Sequence, residues 1–505
     1  MALLKLVSEE KPRQIAAQVL QRQRARGEFI EDLLQAALTE AALSPADRRL
    51  CQEIVYGVIR WQAALDWLIA RKTDGRAQKP ALQNLLRLGL YQIFWLDRIP
   101  AHAAVHETVE LVKQCGFGAR AGFVNALLRG YLREHEATDK LLAELKTTRP
   151  ALGWSHPEWL VARWQKRWGA KKMAQLLEWN NTPPKTFARV NTLKSGGTGS
   201  PLAAGSTPGK DGAPGVTRPA LNPAGDLLAQ WRDEGVDYDF VRRGWLEENL
   251  VFELKSHPPL ASLASFRNGW FYVQDPSTLL APALLGAQPG EAILDFCAAP
   301  GGKTTFIAQL MNNQGRIVAL DVSEERLNLI RKNCARLGVT CVAAAMSKSG
   351  ARPHPDPLPR EREQPGKTSK TLSGAGFADS RTDIPPLPGG EDRGEGGLFD
   401  RVLVDAPCAN TGVMRRRVDL RWRIQAKELG RLHDTQLDLL RQAATRVKPG
   451  GALVYSTCSL EPEENQEVVR QFLSEAAGFK LESERELLPF LDEVDGAYVA
   501  QLNRA

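Results

Sequence analysis

Apolar residues recur every three to four positions through the first third of this chain, then change period. "ALQNLLRLGLYQIFWL" (residues 81 to 96) puts Leu82, Leu85, Leu86, Gly89, Ile93 and Leu96 on one stripe, the spacing of an amphipathic helix. "RQIAAQVLQRQ", "DRRLCQEIVYGVIRWQAALDWLIA", "HAAVHETVELVKQ" and "FVNALLRGYLRE" share that period, with Pro45 and Pro100 at helix boundaries and Gly116 and Gly118 punctuating a connection. Residues 1–145 therefore read as an all-helical domain. A further tryptophan-rich helix follows from about 156 and stops before Pro183-Pro184. "TFARVNTL" then reads as a strand that opens a small α/β subdomain within a segment spanning 146–265.

From 266 to 505 strand and helix alternate. "EAILDFCAAPGGKTTFIAQLM" is strand, glycine turn, helix, and "GRIVALDVSEERLNLIRKNCARLG" is strand, acid, helix. "VTCVAAA" and "FDRVLVDAPC" are strands, and "LDLLRQAATRVKPGGALVYSTCS" is helix, turn, strand. Such alternation predicts a parallel sheet covered by helices on both faces. Two stretches break the pattern: about 195–225 and about 347–397 are rich in Gly, Pro and Ser or charge and lack periodicity, so both are expected to be disordered insertions.

Composition narrows the setting. With 43% hydrophobic residues in 505 the chain has ample material for cores. It has no apolar run of the ~20 residues that cross a bilayer and no secretory leader, so a cytoplasmic protein without a membrane partner is expected. Seven scattered cysteines without metal spacing argue against a disulfide framework and a metal site. The net charge of +7 is compatible with a nucleic-acid partner without establishing one. More pointed are the arginines at 415, 416, 417, 421 and 423, of which those at 415 to 417 suit RNA phosphate or simply form an exposed basic face.

"DFCAAPGGKTT" (295 to 305) is not a phosphate loop, because the glycine required five positions before Gly302 is Cys297. A dinucleotide fingerprint is absent too. What remains is a glycine turn at the carboxyl end of the first strand, where open α/β sheets bind ligands. Asp321, about twenty residues on at the end of "RIVALD", suits the two hydroxyls of a ribose. A nucleoside cofactor without pyrophosphate fits, which points to S-adenosylmethionine; a structural turn with a helix-capping acid is the plainer alternative.

Two thiols complete the pattern. Cys408 in "DAPC" and Cys458 in "STCS" each lie just past a strand end on the cofactor side. A lone strand-end cysteine is usually a small buried hydrophobe. A pair, the first between Asp405 and the arginine run in a setting expected to favour thiolate, suits methylation of cytosine at carbon 5. That carbon becomes nucleophilic when a thiolate adds to carbon 6, and a second group is then useful for release.

As a set, "DFCAAPGGKTT", "ALDVSEERL", "VLVDAPCANTGVMRRRVDLRW" and "LVYSTCSLEPEEN" resemble the motifs of the Sun family of RNA cytosine-5 methyltransferases. "DRRLCQEIVYGVIRW", "RIPAHAAVHETVELVK" and "FVNALLRG" resemble the NusB-type RNA-binding domain, a combination typical of bacterial enzymes acting on 16S rRNA. The resemblance implies a multidomain protein: an all-α NusB-like domain plus a Rossmann-like, S-adenosylmethionine-dependent domain with a mostly parallel seven-stranded sheet. It makes Cys458 the nucleophile, Cys408 an aid to product release, and Asp405 a contact to both base and methyl donor. Cys297, Ala298, Ala299, Pro300, Gly301, Gly302 and Lys303 would form the cofactor loop, with Asp321 on the ribose. The implied partner is 16S rRNA free of ribosomal proteins at the target site, bound by a monomer. A transfer-RNA substrate, or a non-catalytic RNA-binding assembly factor, are the competing readings. Two departures stand out. The family's acid after the third strand is replaced by Ala345, Met346 and Ser347 before the insertion begins, leaving Asp379 or Asp383 as candidates for its place and predicting weakened cofactor affinity. Ala409 and Asn410 also stand where the family more often has serine, then glycine or alanine.

Overall fold

The computed structural model describes residues 11–26, 28–194, 223–347 and 397–505. Asp379, Asp383 and nearly all of both expected insertions lie outside them; residues 223–225, placed by the sequence at the end of the first insertion, instead open a helix, Pro223–Asp233. The chain forms two compact units. One holds the residues up to Pro183 together with Val413–Ala426, the other the rest of the described chain.

The first unit is helical. Its helix Pro45–Arg60 starts where proline's fixed φ suits the first turn, and the Ser44 hydroxyl caps it by accepting from the Asp47 amide at 3.1 Å. Helix Pro80–Trp95 is buried on nearly every side rather than along one stripe, with Leu82, Leu85, Leu86, Leu88, Leu90 and Ile93 all in the core. Segment 413–426 adds Val418 and Trp422 to that core. It also brings Arg421, which is fully buried and donates to Asn181 Oδ1 at 2.7 Å and to the Asn180 carbonyl at 2.9 Å. Burial, with Arg60 adding to it, pushes the Arg421 guanidinium down to about 9. Arg415 is buried as well, 3.9 Å from the centre of the Trp179 ring. These two arginines are therefore structural cations of the helical unit; the sequence reading of Arg415 as a phosphate contact or part of an exposed face does not hold.

The second unit carries two sheets. Strands β1 (Thr186–Val190), β2 (Asp237–Phe240), β3 (Val251–Ser256) and β4 (Phe271–Val273) form an antiparallel sheet in the order β2-β3-β1-β4. The larger sheet comprises β5 (Ala292–Asp295), β6 (Arg316–Asp321), β7 (Val342–Met346), β8 (Phe399–Asp405), β9 (Val447–Thr457), β10 (Phe479–Leu487) and β11 (Ala497–Arg504). Its order is β10-β11-β9-β8-β5-β6-β7. The strands from β9 to β7 are parallel, while β11 is the reversed strand, pairing antiparallel with both β9 and the edge strand β10. Residues such as Ile293, Leu294, Val402, Leu403, Val404, Leu453 and Val454 are buried, as expected of strands covered on both faces. Because β5 comes first in sequence yet lies between β6 and β8, the chain reverses its direction of winding there. The crevice beyond the carboxyl ends of β5 and β8 is the place where such sheets bind ligands.

Candidate active site

Three strands of that crevice end on an aspartate: Asp295 closes β5, Asp321 closes β6 and Asp405 closes β8. Asp295 is fully buried, accepts from Thr304 Oγ1 at 2.7 Å through one oxygen, and has no partner for the other. Its carboxyl is pushed up to about 7, chiefly by burial and then by Asp405 and Asp321, against the pull of Thr304 and Lys303. Asp321 is also buried; its oxygens accept from the amides of Ala299 at 3.2 Å and Val322 at 2.9 Å, with Arg326 Nη1 at 3.4 Å.

The glycine turn joins these carboxylates. The amides of Phe296, Cys297 and Ala298 donate to the carbonyls of Leu403 and Leu320, so the turn is stitched to β8 and β6. Cys297 has φ of 101°, and burial followed by the three nearby carboxylates raises its thiol. It therefore contributes backbone shape rather than a reactive sulfur. Ala298 is buried, Ala299 half-buried and Pro300 exposed, with a cis bond between the last two. Gly301 has φ of 97°, which β-carbon sterics disfavour in any other residue, and a Cβ on Gly302 would come 3.1 Å from the Tyr272 ring. From the helix that follows (Gly302–Leu310), Lys303 pairs with Asp405 at 2.6 Å. Burial works against the Lys303 ammonium, but Asp405 and, behind it, the Cys458 sulfur and Asp295 outweigh it, and the net shift is upward.

Arg189, from β1 of the small sheet, was not anticipated. It is fully buried and donates to Gln274 Oε1 at 2.7 Å, the Gly302 carbonyl at 2.8 Å and Thr305 Oγ1 at 3.1 Å, bracing the start of that helix. Burial pushes it down to about 9. Nothing in "TFARVNTL" distinguishes this arginine from an exposed strand residue, so no sequence signal announces it.

The thiols come together as their positions predict. In β8 and β9 Asp405 lies opposite Ser456, and Ser456 Oγ donates to Asp405 Oδ1 at 2.9 Å. Past these matched ends the two sulfurs, Cys408 Sγ and Cys458 Sγ, lie 3.3 Å apart. Cys408 is buried and Cys458 half-buried. The electropositive setting expected of Cys408 is not what the structure has. Its thiol is pushed well above the ordinary range, first by the hydrogen bond with Cys458, then by burial and the Glu464 side chain. The nearby arginines that led to that expectation include Arg415 and Arg421, which are spent inside the helical unit.

Glu464 is the second residue that sequence reasoning missed. Fully buried, it accepts from the Ala409 amide at 2.8 Å, from Gln436 Nε2 at 3.0 Å and from the Ser459 hydroxyl, and so ties the Cys408 loop to the Cys458 loop. Burial pushes its carboxyl up to about 7 against those bonds. Thr411 Oγ1 accepts from the Leu460 amide at 2.8 Å and adds a second link, while within the Cys458 loop Asn465 Nδ2 donates to the Ser459 carbonyl at 2.9 Å.

Strand-final carboxylates partly offset by Lys303 and Arg326, around a turn that keeps side chains away from a ligand, fit a nucleoside with a cationic tail and do not fit a phosphate. The sheet order, the glycine turn at the switch point and the carboxylate of β6 are those of a Rossmann-like methyltransferase domain, here in one chain with a helical unit. Comparison with known proteins gives the family. A profile of the NusB family matches residues 10–133, one described as 16S rRNA methyltransferase RsmB/F matches 282–355 and 387–503, and one for the RsmF/B-like ferredoxin-like domain matches 156–197. The probable ribosomal RNA small subunit methyltransferase B of Bacillus subtilis is 33% identical over 469 residues, 93% of this chain and 89% of that one. Its counterpart in Synechocystis is 32% identical, covering 98% and 99%; the methyltransferase B of Escherichia coli O157:H7 is 31% identical, covering 97% and 98%. The chain thus belongs to the RsmB-type, Sun family of methyltransferases with an N-terminal NusB-like domain. The crystal structure of PH0851 superimposes with a TM-score of 0.68 over 99% of this chain and 100% of that one, at 22% identity, which speaks to the fold. Among the described residues no helix is long and apolar enough to cross a membrane, and no cluster of metal-ligating side chains occurs.

Proposed function

We propose that this protein methylates carbon 5 of a cytosine in 16S rRNA, using S-adenosylmethionine. The observation that carries the reading is the pair of sulfurs 3.3 Å apart beyond the matched ends of β8 and β9, beside Asp405. A bound donor supplies an electrophilic methyl group held on a cationic sulfur, a charge suited to the carboxylates of Asp295, Asp321 and Asp405. The turn from Cys297 to Lys303 would hold the donor's tail and Asp321 its ribose.

Cys458, the more accessible thiol, adds as thiolate to carbon 6 of the base. The sulfur lone pair forms the S–C6 bond, and the C5=C6 electron pair moves to carbon 5, which becomes the nucleophile for the methyl group. Asp405, held in place by Ser456 and Lys303, contacts N3 and the amino group of the ring. Release reverses the addition: Cys408, as thiolate, takes the proton from carbon 5, the C5–H electron pair restores C5=C6, and the C6–S pair returns to Cys458. Cys408 assists this step from 3.3 Å. While Cys458 is bonded to carbon 6 its sulfur is neither thiol nor thiolate, so the hydrogen bond that does most to raise the Cys408 thiol is lost. A base inside an RNA helix cannot reach both sulfurs, so the target must be unstacked.

The test is incubation with tritiated S-adenosylmethionine and protein-free, unmodified 16S rRNA, followed by digestion to nucleosides. Label in 5-methylcytidine is the expected result. Label at another position, or none from protein that binds the RNA, refutes the reaction; label in transfer RNA and none in rRNA keeps the chemistry and moves the substrate.

A further inference from the structure

Asn410 lies two residues past Cys408 in the left-handed region (φ 57°), where asparagine is tolerated and most residues are not. Its Nδ2 donates to the Cys408 carbonyl at 2.6 Å. That bond fixes which way the amide faces, and its Oδ1 accepts from Cys458 Sγ at 3.0 Å. Each thiol has one proton. With the Cys458 proton directed at Asn410, the proton in the contact between the sulfurs belongs to Cys408. The result is a closed ring: the Cys408 thiol donates to Cys458, Cys458 to the Asn410 side chain, and Asn410 to the Cys408 backbone.

We propose that Asn410 is a positioning residue that clasps the nucleophile, holding Cys458 as an aimed, neutral thiol until substrate displaces the contact. This rests on Cys458 being the nucleophile. An amide oxygen accepts a hydrogen bond but takes no proton, so the Asn410 contact is made only by the thiol, whereas the Cys408 proton can be donated to either form. Glycine or alanine, the residues the family more often has here, could not make it. Asn410 is half-buried, so an incoming base can reach the clasp. The chain therefore trades resting reactivity of its nucleophile for protection from alkylating and oxidising agents.

The test needs neither RNA nor methyl donor. Full-length protein is treated with iodoacetamide between pH 6 and 10, and the rate of alkylation at residue 458 is read from the mass of its peptide. In this reaction the sulfur attacks the iodine-bearing carbon, iodide leaves and the thiol proton goes to solvent. Asn410→Gly, which suits the backbone conformation, is expected to alkylate roughly three- to ten-fold faster at pH 7, the worth of one neutral hydrogen bond. The advantage should vanish at high pH, where the thiolate is complete in both proteins. A gain that persists at every pH would mean a merely opened loop and would overturn the proposal, as would no gain. Asn410→Asp keeps the acceptor and the backbone preference, so it should alkylate no faster than the parent at pH 7; a rate like that of the glycine variant also overturns it. Should the glycine variant fail to fold, Asn410→Ala, which also removes the acceptor, takes its place with the same expected gain at pH 7 and the same overturning results. Methyl transfer measured alongside separates the two readings. An inactive protein with the expected alkylation profile loses the proposed function and keeps the clasp, and an active protein without the profile loses the clasp.

Discussion

Two sets of loops close the same end of the large sheet, and they are held by opposite means. The turn after β5 is fixed through its backbone: amides of residues 296–298 donate to carbonyls of β8 and β6, and positive φ at Cys297 and Gly301 turns the chain sharply. The loops after β8 and β9 are fixed through side chains, with Glu464, Gln436, Thr411 and Ser459 bonding across from one to the other. The difference follows from what each presents. A turn that offers peptide groups to a ligand must keep side chains away, whereas two sulfurs, if they act on adjacent atoms of one ring as proposed, must be held to fractions of an ångström.

The largest expected effects break the second set. Cys458→Ser should lower methyl transfer by at least about 10³-fold, because the hydroxyl is a far weaker nucleophile at neutral pH. Cys408→Ser should instead stall release and leave protein covalently attached to RNA. Denaturing gels separate the two: a slow band for Cys408→Ser, none for Cys458→Ser and none for the double variant. A slow band from Cys458→Ser would exchange the roles.

Smaller effects compare the loops directly. A Cβ on Gly412 would meet the Gly496 carbonyl oxygen at 2.6 Å and that of Cys458 at 2.8 Å, both backbone atoms that cannot swing aside. Gly412→Ala must therefore shift the Cys458 loop, and a displacement near 1 Å costs about 10²-fold in kcat. Gly301→Ala faces mainly its own φ, with the nearest atom, Ile330 Cα, at 3.3 Å. It should destabilise the protein by about 1–2 kcal/mol and raise KM for the donor while sparing kcat. Steady-state kinetics with both substrates varied would reveal the split; the reverse pattern would undo the contrast between the loops.

Much of this was legible in sequence because the signals are local. Strand periodicity, the glycine turn and the two thiols can each be read within a dozen residues, and parallel order follows from the helices between the strands. What stayed hidden depends on which side of a segment faces inward. In "SLEPEEN" three acids look alike, yet Glu464 is the one that crosses to the Cys408 loop. In "VMRRRVDLRWR" the arginines outnumber everything else, and the sign that the segment is partly buried is weaker: Val418 and Trp422, four apart, pack in the helical core, and Arg421 beside them is held by Asn180 and Asn181. Arg189 and Asn410 depend on contacts with residues distant in sequence, or on a backbone conformation that no periodicity encodes.

The subtlest comparison is of pH dependence, since each set of loops holds one carboxyl raised to about 7: Asp295 at the glycine turn and Glu464 between the thiols. A folded-state value above the unfolded one means that the folded protein binds the proton more tightly. The stabilisation is then full below the unfolded value, near 4.5 for Glu464, and is lost as pH rises toward 7. For Glu464, with no exposed surface, the shift corresponds to about 3 kcal/mol. Glu464→Gln cannot ionise, keeps an oxygen to accept from Ala409 and Gln436, and should remove that part of the slope while Asp295 continues to supply its own. Asp295→Asn should do the converse, removing the part of the slope to which Asp405 and Asp321 contribute. Denaturant titrations at pH 5, 6, 7 and 8 would measure both. If Glu464→Gln retains the full slope, the carboxyl between the thiols is ionised in the folded protein, and the link across these loops is one between an anion and its donors.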